Sequence, residues 1–392
     1  MTPDPSAGTD CLVNAYPNRG LSFVRGEGHY LITADGERYL DLGSNYGVNL
    51  FGYTQDRITH ALQQQLNALV NLHGSFHSPV RSTAAQRLVN CCGGQMRRVF
   101  FSNSGSEAIE AALKFARLAT GKIRFVAMRN GYHGKTLGAL SATSGDKYRS
   151  PFLPLLWDFV HVEYGCEDEL RRAATAETAA ILLEPVQGEG GIRMAPHGYY
   201  SAVQELCRER GILLIVDEIQ TGLGRTGTFL ASEPLGLDPD ILCLGKGLAG
   251  GIPIGATLVS ESVARSIPLH SHTSTCGGNP LAAAGVCATL NELFQPGLMD
   301  HVREVGYQFL QGLKAIHHPT IVGVRGFGLM LALELTGAVT PLLRSLQRKQ
   351  IIAIPAGACT LRFLPPLTLQ EGEVDYALQA LQQLITEGGE NV

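Results

Sequence analysis

The chain has 392 residues, of which 45% are hydrophobic and 17% are charged, and its formal net charge is −4. This length suits one large and one small domain, and the composition excludes an intrinsically disordered chain. The weak negative charge offers no basic surface for nucleic acid, and the apolar runs are too short to cross a membrane. The first ten residues have neither a basic start nor an apolar stretch, so we predict no signal peptide and expect a cytoplasmic protein.

The N-terminal part is predicted to contain short strands and then a helix. Residues 21–42 alternate apolar and polar side chains around turn glycines, which indicates a β-meander. A helix over 55–70 follows, with Ile58, Leu62, Leu66 and Leu69 on one face.

Strands and helices then alternate from about residue 82 to residue 292. The pattern predicts strands over 98–101, 123–127, 180–183 and 213–216, and helices over 107–118 and 199–210. Alternating helices and continuously apolar strands indicate an α/β fold with a mainly parallel sheet covered on both faces.

The remaining chain is predicted to form a smaller α+β domain, with helices over 300–316 and 340–349 and a strand over 330–335. We therefore divide the chain into three parts. Residues 1–50 join the small domain, residues 51–295 form the large domain, and residues 296–392 form the C-terminal small domain.

Nine cysteines are scattered along the chain. They form no CxxC pair and no Cys/His cluster with the spacing of metal ligands. We therefore expect no bound metal, and buried thiols of the kind found in a reducing cytoplasm.

A run of small polar residues from Asn103 to Glu107 stands between a predicted strand and a predicted helix. Free backbone N–H groups and the helix dipole favour an anion at such a helix start. The alternative is an ordinary serine cap with a glutamate in the first helical turn.

Asp217 directly follows the predicted strand over 213–216 and, like the loop before the helix over 107–118, is expected at the carboxyl ends of the strands, where ligands bind in open α/β sheets. A carboxylate at a buried strand end needs a partner, either a protonated ring nitrogen or nearby backbone amides. Lys246 lies in an apolar, glycine-rich stretch, where desolvation would lower the pKa of its amine and make it a nucleophile. The alternative for Lys246 is a surface lysine that packs its methylenes and extends its charge to water.

The three segments together meet the needs of pyridoxal phosphate: an anion cradle, an acid for the ring nitrogen and a lysine for a Schiff base. Their order resembles that of the class III aminotransferases, as do LEPVQGEGG at 183–191, DEIQTGLGRTG at 217–227 and GGNP at 277–280. The resemblance runs from about Leu21 to the C-terminus and is strongest to the acetylornithine branch, then to the putrescine aminotransferases. It implies a fold type I enzyme with a mainly parallel seven-stranded sheet, helices on both faces and a smaller α+β domain.

The resemblance also implies roles for individual residues. Ser104, Gly105 and Ser106 are expected to bind the phosphate, Tyr132 to stack on the ring, Asp217 to pair with the ring nitrogen, Gln220 with the ring hydroxyl, and Lys246 to form the Schiff base. Thr275 is expected to reach the phosphate of a neighbouring subunit, which implies a homodimer with shared active sites. The residues expected to bind substrate are Tyr46, Lys135, Glu189 and Arg362.

Arg362 is similar to the arginine that grips the α-carboxylate of glutamate, and Glu189 to the glutamate that covers it when an amine without that carboxylate enters. The alternative for Glu189 is a solvated loop acid. Two residues depart from the pattern of the acetylornithine branch: Lys135 replaces the usual arginine, and Cys276 replaces an aromatic residue. The putrescine aminotransferases resemble this chain in having lysine at the first of these positions, which keeps a diamine donor as an alternative. Lysine pairs with a carboxylate as a point charge but lacks the arginine fork.

The expected reaction moves the terminal amino group of an ω-amino donor to 2-oxoglutarate, giving an aldehyde and glutamate. N-acetylornithine or a similar blocked diamino acid is the preferred donor, and putrescine or 4-aminobutyrate is the alternative. A rival class is an NAD(P)-binding oxidoreductase, because residues 222–227 fit GxGxxG. The irregular, proline-containing stretch that follows opposes it. A P-loop hydrolase is opposed by Arg129 in the place of the required glycine, and a regulator without turnover by the retained Asp217 and Lys246.

Overall fold

The computed structural model describes residues 11–156 and 158–387. The first ten residues, for which the sequence predicts no signal peptide, lie outside the described part. Within these two ranges, none of the helices combines the length and apolar character needed to cross a membrane.

Fifteen strands occur in the described ranges, in the chain order β1 (Phe23–Glu27), β2 (Tyr30–Thr33), β3 (Arg38–Asp41), β4 (Met96–Ser102), β5 (Arg124–Met128), β6 (Asp158–Val162), β7 (Thr178–Leu183), β8 (Leu213–Asp217), β9 (Ile241–Leu244), β10 (Gly255–Ser260), β11 (Ile321–Gly326), β12 (Leu331–Leu335), β13 (Ile351–Ile352), β14 (Ile354–Ala356) and β15 (Thr360–Phe363).

The helical elements of the same ranges are α1 (Ser44–Gly47), α2 (Asp56–Ala68), α3 (Pro79–Cys92), α4 (Gly105–Thr120), α5 (Leu137–Ala142), α6 (Asp146–Arg149), α7 (Glu167–Ala173), α8 (Tyr199–Arg210), α9 (Glu261–Arg265), α10 (Pro280–Leu293), α11 (Leu298–Ala315), α12 (Thr340–Arg348) and α13 (Glu371–Glu387). Two short 3₁₀ helices cover Ser150–Phe152 and Lys246–Ala249.

The largest sheet has seven strands in the order β4-β10-β9-β8-β7-β5-β6. Strands β5 to β9 pair in parallel, while β10 runs antiparallel to both of its neighbours, β9 and β4. This confirms the prediction of a mainly parallel seven-stranded sheet. Because β4 runs in the same direction as β9, the carboxyl ends of β4, β5, β7, β8 and β9 lie at one edge.

Helices cover both faces of this sheet, as alternate side chains of one strand show. Ile181 and Leu183 of β7 belong to the apolar cluster that includes Val203 of α8. Leu182 of the same strand belongs to a second cluster, which includes Leu113 of α4. Successive side chains of a strand point to opposite faces, so β7 is buried from both sides.

Two further sheets have four strands each, in the orders β1-β2-β3-β13 and β11-β12-β15-β14. The first joins the N-terminal meander to the C-terminal part, because Leu40 of β3 pairs in parallel with Ile351 of β13. Domain boundaries after residues 50 and 295 stay predictions.

Helix α2 occupies the predicted place, but only part of its apolar face is buried. Ile58 is buried, whereas Leu66 is 56% exposed and Leu69, just beyond the helix, is 45% exposed. The apolar stripe therefore continues onto the surface of this chain. The expectation of buried thiols is correct for Cys207 and Cys243; Cys11 and Cys276 are exposed, and all nine thiols are unpaired.

Candidate active site

A cavity of about 190 Å³ lies at the carboxyl edge of the seven-stranded sheet. Five of the strands that end there have a lining residue at their carboxyl end or in the segment that follows. These residues are Gly105 after β4, His133 after β5, Glu184 after β7, Asp217 at the end of β8 and Lys246 after β9. The sheet therefore brings together segments that are far apart in the sequence.

The start of α4 forms one wall of the cavity through Ser104, Gly105 and Ser106. Ser104 caps the helix, since its side chain accepts a hydrogen bond from the N–H of Glu107 at 3.2 Å. The predicted cap is therefore present, and it lies at the cavity. A Cβ at Gly105 would come within 2.8 Å of Ile219 Cγ2, so the close packing of this turn requires glycine.

Asp217 and His133 form a buried pair below the cavity. His133 Nδ1 and Asp217 Oδ2 lie 2.7 Å apart, and the other carboxylate oxygen accepts from the N–H of Ile219 at 3.0 Å. Burial alone would lower the pKa of His133, but the hydrogen bond to Asp217 and its charge outweigh burial and raise that pKa. Asp217 therefore has two hydrogen-bond partners, the imidazole of His133 and the backbone amide of Ile219.

Lys246 reaches the same cavity from the first residue of its 3₁₀ helix, and its backbone adopts a left-handed φ of 49°. Such a conformation in a non-glycine residue stores strain and is concentrated at functional sites. Burial lowers the pKa of the Lys246 amine, and Arg362 lowers it further, while Asp217 acts in the opposite direction. A lysine amine with a lowered pKa is a nucleophile suited to Schiff-base formation.

Arg362 and Glu189 form an ion pair beside the cavity. Arg362 Nη2 lies 2.5 Å from Glu189 Oε1, and Nη1 donates to Gln220 Oε1 at 3.2 Å. The Arg362 side chain is fully buried, whereas 20% of the Glu189 side chain is exposed. The more exposed partner is thus the acid, which is the one able to move without uncovering the core.

Tyr46 lies against Arg362, whose guanidinium carbon is 5.7 Å from the centre of the tyrosine ring. Tyr46 belongs to α1, a turn in which Ser44, Asn45 and Tyr46 all have positive φ. Asp41 supports this turn by accepting hydrogen bonds from the N–H groups of Gly43 at 2.8 Å and Ser44 at 3.0 Å. The strained turn places Tyr46 beside the arginine.

Tyr132 also lines the cavity, with its ring edge-on to Tyr148 at 5.5 Å. Lys135 is exposed outside the cavity, its Nζ 5.6 Å from the centre of the Tyr148 ring. Thr275 and Cys276 are also exposed and do not line the cavity of this chain.

The prediction missed four residues that line the cavity: Gly134, Ile219 and two titratable side chains, His133 and Glu184. Glu184 is 5% exposed and accepts from the N–H of Tyr132 at 2.9 Å and that of Gly188 at 3.0 Å. Burial raises the pKa of Glu184 to about 7. A signal was available, because Glu184 directly follows a buried strand in the same way as Asp217.

Residues 222–227, which fit GxGxxG, form buried turns between β8 and β9. No helix begins there, so their backbone amides do not form the helix start that binds a dinucleotide.

These residues fit a phosphorylated pyridine aldehyde. The glycine-lined start of α4 offers a cradle for the phosphate, and Asp217 offers a carboxyl group for a ring nitrogen. Lys246 is a buried amine, and among the described residues none accepts a hydrogen bond from it. The donor set therefore matches pyridoxal phosphate.

Comparisons with known proteins agree. The aminotransferase class-III family model matches residues 13–385. The acetylornithine aminotransferase of Aquifex aeolicus (strain VF5) is 40% identical, over 95% of this chain and 99% of its own. The [LysW]-aminoadipate semialdehyde transaminase of Deinococcus radiodurans is 39% identical, over 94% of this chain and 87% of its own.

Solved structures show the same likeness. The ornithine aminotransferase of Toxoplasma gondii ME49 superimposes with a TM-score of 0.93 at 30% identity, over 98% of this chain and 94% of that one. A PLP-bound amine transaminase from an uncultivated Pseudomonas species superimposes with a TM-score of 0.91 at 30% identity, over 99% of this chain and 98% of that one. The chain therefore belongs to the class III aminotransferases, which are transaminases that depend on pyridoxal phosphate.

Proposed function

We propose that the enzyme moves the terminal amino group of N-acetylornithine, or of a similar blocked diamino acid, to 2-oxoglutarate, giving an aldehyde and glutamate. The cytoplasmic location expected from the sequence belongs to this proposal. When bound, pyridoxal phosphate supplies an electrophilic aldehyde and a ring that accepts electrons from the reacting carbon of the substrate.

The residues around the cavity have complementary roles in this proposal. Lys246 Nζ would hold the cofactor covalently and, as a free amine, would move the proton at the donor's reacting carbon. Asp217, held by His133, keeps the ring nitrogen protonated. The amides at the start of α4 bind the phosphate, with Ser104 and Ser106 at its edge, and Tyr132 covers the ring.

Gln220 accepts from Arg362 through its carbonyl oxygen, and its amide group remains for the ring hydroxyl. Thr275 would reach the phosphate from the neighbouring subunit. This role fits its exposed position outside the cavity of its own chain.

The Arg362–Glu189 ion pair carries the proposal for a two-substrate reaction. Such an enzyme must bind the α-carboxylate of glutamate, yet also admit an amine whose reacting carbon has no carboxylate. With Glu189 paired at 2.5 Å, the buried arginine is neutralised while the terminal amine reacts. With Glu189 moved aside, the same arginine is free to bind glutamate in bidentate geometry.

Charge at the rim favours a carboxylated donor over putrescine. The Nζ atoms of Lys135 and Lys147 lie 5.6 Å and 4.5 Å from the centre of the Tyr148 ring, and Tyr148 contacts Tyr132. Within residues 11–156 and 158–387, no carboxylate pairs with either lysine. The distal ammonium of putrescine would be repelled there, whereas a distal carboxylate would be attracted.

A homodimer is part of the proposal, and exposed apolar side chains support it. Leu66, Leu69, Val70 and Phe76 are 44–64% exposed at and after the end of α2. This stretch contacts the loop that holds Thr275, since Arg81 donates to the carbonyl groups of Phe76 at 3.2 Å and Gly278 at 2.6 Å. Clustered apolar exposure of this kind is typical of protein interfaces.

Trapping the lysine tests the chemistry. Borohydride reduction of the purified protein should fix a pyridoxyl group on Lys246, and Lys246→Ala should lose at least about 10³-fold in turnover. The exposed Lys314 provides the matched control, and Lys314→Ala should keep both the label and the activity. Parent-level turnover by Lys246→Ala would overturn the assignment.

A donor panel tests the substrate. N-acetylornithine, ornithine, putrescine and 4-aminobutyrate are compared by kcat/KM, with 2-oxoglutarate as acceptor. We expect N-acetylornithine to give the highest value. A preference for putrescine over every carboxylated donor would refute the proposed donor and leave the transamination chemistry unchanged.

A further inference from the structure

We propose that Glu184 is a positioning residue that holds two walls of the active site in one arrangement, the loop of Tyr132 and the loop of Glu189. The inference rests on the proposed switching of Glu189 between a position on Arg362 and a position away from it.

The hydrogen bonds of Glu184 show how it acts. One carboxylate oxygen accepts from the N–H of Tyr132 at 2.9 Å, and the other accepts from the N–H of Gly188 at 3.0 Å. Gly188 directly precedes the switching residue, Glu189. A single carboxylate at the end of β7 therefore fixes both the backbone beneath the ring-covering tyrosine and the backbone that carries the switch.

A second contact joins the same two loops. The side-chain amide of Gln187 donates to the carbonyl of Arg129 at 2.7 Å, and the backbone of Gln187 pairs with that of Arg193. The switch loop is therefore held before Glu189 by Glu184 and Gln187, and after it by Arg193. The short stretch between these contacts includes Gly190 and Gly191, the latter with a φ of 95°.

Charge supports this role. Glu184 faces His133 and Asp217 across the cavity floor, and its charge also acts on Lys246, whose pKa it raises. Burial without a cationic hydrogen-bond partner is costly for a carboxylate, so two backbone amides are needed to keep it in place. Because those amides are held while Glu189 is paired with Arg362, Glu184 favours the closed position of the switch.

The test compares two half-reactions of Glu184→Gln at pH 8, where most of the wild-type acid is ionised. The amide keeps one acceptor oxygen but turns an NH₂ group toward the second N–H, so one hydrogen bond is lost. We expect kcat/KM for N-acetylornithine to fall about tenfold more than kcat/KM for glutamate, since the loss opens the switch. The KM for glutamate should stay constant or decrease.

A second readout does not depend on catalysis. Amide hydrogen exchange in the segments 130–133 and 186–192 should be faster in Glu184→Gln, measured without substrate. Glu218→Gln is the matched control, because Glu218 is an equally buried acid that accepts from the N–H of Ser232 and does not line the cavity. Glu218→Gln should lower stability. It should leave unchanged both the ratio of kcat/KM for N-acetylornithine to kcat/KM for glutamate and the amide hydrogen exchange of the two segments.

Equal losses in both half-reactions, with unchanged exchange in the two segments, would overturn the inference. The double variant Glu184→Gln/Glu189→Ala should show the same ratio of kcat/KM for N-acetylornithine to kcat/KM for glutamate as Glu189→Ala alone, since Glu184 acts through Glu189.

If Glu184→Gln does not fold, Glu184→Asp is used in its place. Aspartate retains the charge, but its carboxylate oxygens lie one methylene farther from the two N–H groups, and the same two measurements apply. If the wild type prefers another donor, the proposed substrate fails, but the exchange result still decides the role of Glu184.

Discussion

The two ends of the active site are built differently. At the cofactor end, Asp217, His133 and Lys246 all follow strands of one sheet, and the Asp217–His133 pair is buried with a fixed 2.7 Å contact. At the carboxylate end, Arg362 comes from another sheet and its partner Glu189 from a loop that is partly exposed. The first end is suited to holding one group permanently, and the second to exchanging partners.

This difference follows from what each end must bind. A cofactor that stays bound through both half-reactions requires constant geometry, which strand ends provide. Two substrates that differ by one carboxylate require a charge that can be covered and uncovered. The ion pair between a rigid arginine and a loop glutamate provides that choice.

The largest effect is expected at the rigid end. Asp217→Asn keeps the shape but removes the charge opposite the ring nitrogen, so both half-reactions should slow by about 10³-fold, the size of a lost preorganised electrostatic partner. Asp240→Asn is the control, because Asp240 accepts from the N–H of Leu214 at 2.9 Å near the opposite edge of the sheet. Equal kcat/KM values for Asp217→Asn and wild type would show that this end is not specialised.

Arg362→Lys should separate the two ends. Loss of the bidentate fork at a buried site should lower kcat/KM for glutamate by about 10²-fold, with a smaller loss for N-acetylornithine. Arg124→Lys serves as the control, since Arg124 pairs with Asp158 at 2.5 Å far from the cavity. The comparison fails if kcat/KM falls equally for glutamate and for N-acetylornithine.

Stability against pH probes the acid between the two ends. The folded pKa of Glu184, about 7, lies above its ordinary 4.5, so the folded protein retains a proton that the unfolded chain releases between those values. Its contribution to the free energy of unfolding is complete below pH 4.5 and is lost as pH rises to 7, by up to about 3 kcal/mol.

Subtracting the curve of Glu184→Gln from that of wild type gives the contribution of Glu184 together with its electrostatic interaction with His133 and Asp217, which face it. The difference is measured by denaturant unfolding from pH 4.5 to 7.5. A difference that does not vary with pH would mean that Glu184 titrates normally.

Glu189→Ala should affect one substrate only. Without its cover, the buried charge of Arg362 opposes an amine that has no α-carboxylate, and kcat/KM for N-acetylornithine should fall about tenfold. The glutamate half-reaction should be unchanged or show a lower KM. Glu163→Ala is the control, since Glu163 is a surface acid that lies 3.6 Å from Arg129.

The smallest effect is expected at the rim. Lys135→Arg supplies the guanidinium fork that lysine lacks, so kcat/KM for carboxylated donors should rise by at most about fivefold, because exposed ion pairs contribute little. Lys147→Arg, at the other lysine beside Tyr148, is the matched variant. A larger gain for putrescine than for N-acetylornithine would reverse the charge argument for the donor.

Local patterns in the sequence were enough to predict a mainly parallel sheet, the long amphipathic helices and the segments around Asp217 and Lys246, whereas the number of seven strands came from the family resemblance. Each of these features is recognisable within about ten residues: an apolar strand, a capped helix start, or a lysine in an apolar, glycine-rich stretch. Helix α10 was missed because it is buried almost all round and has no polar face to give a helical period. The two-residue β13 is too short to show any period.

Tertiary structure alone decided which of these segments meet. Glu184 and His133 gained their surroundings only when β5, β7 and β8 became neighbours, since a side chain's partners across a sheet do not depend on its own sequence context. The Arg362–Glu189 contact joins residues 173 positions apart, and the left-handed turn at Tyr46 depends on support from Asp41. Residue types and local conformation follow from short-range chemistry, whereas distances, burial and the resulting charge states arise from the packing of distant segments.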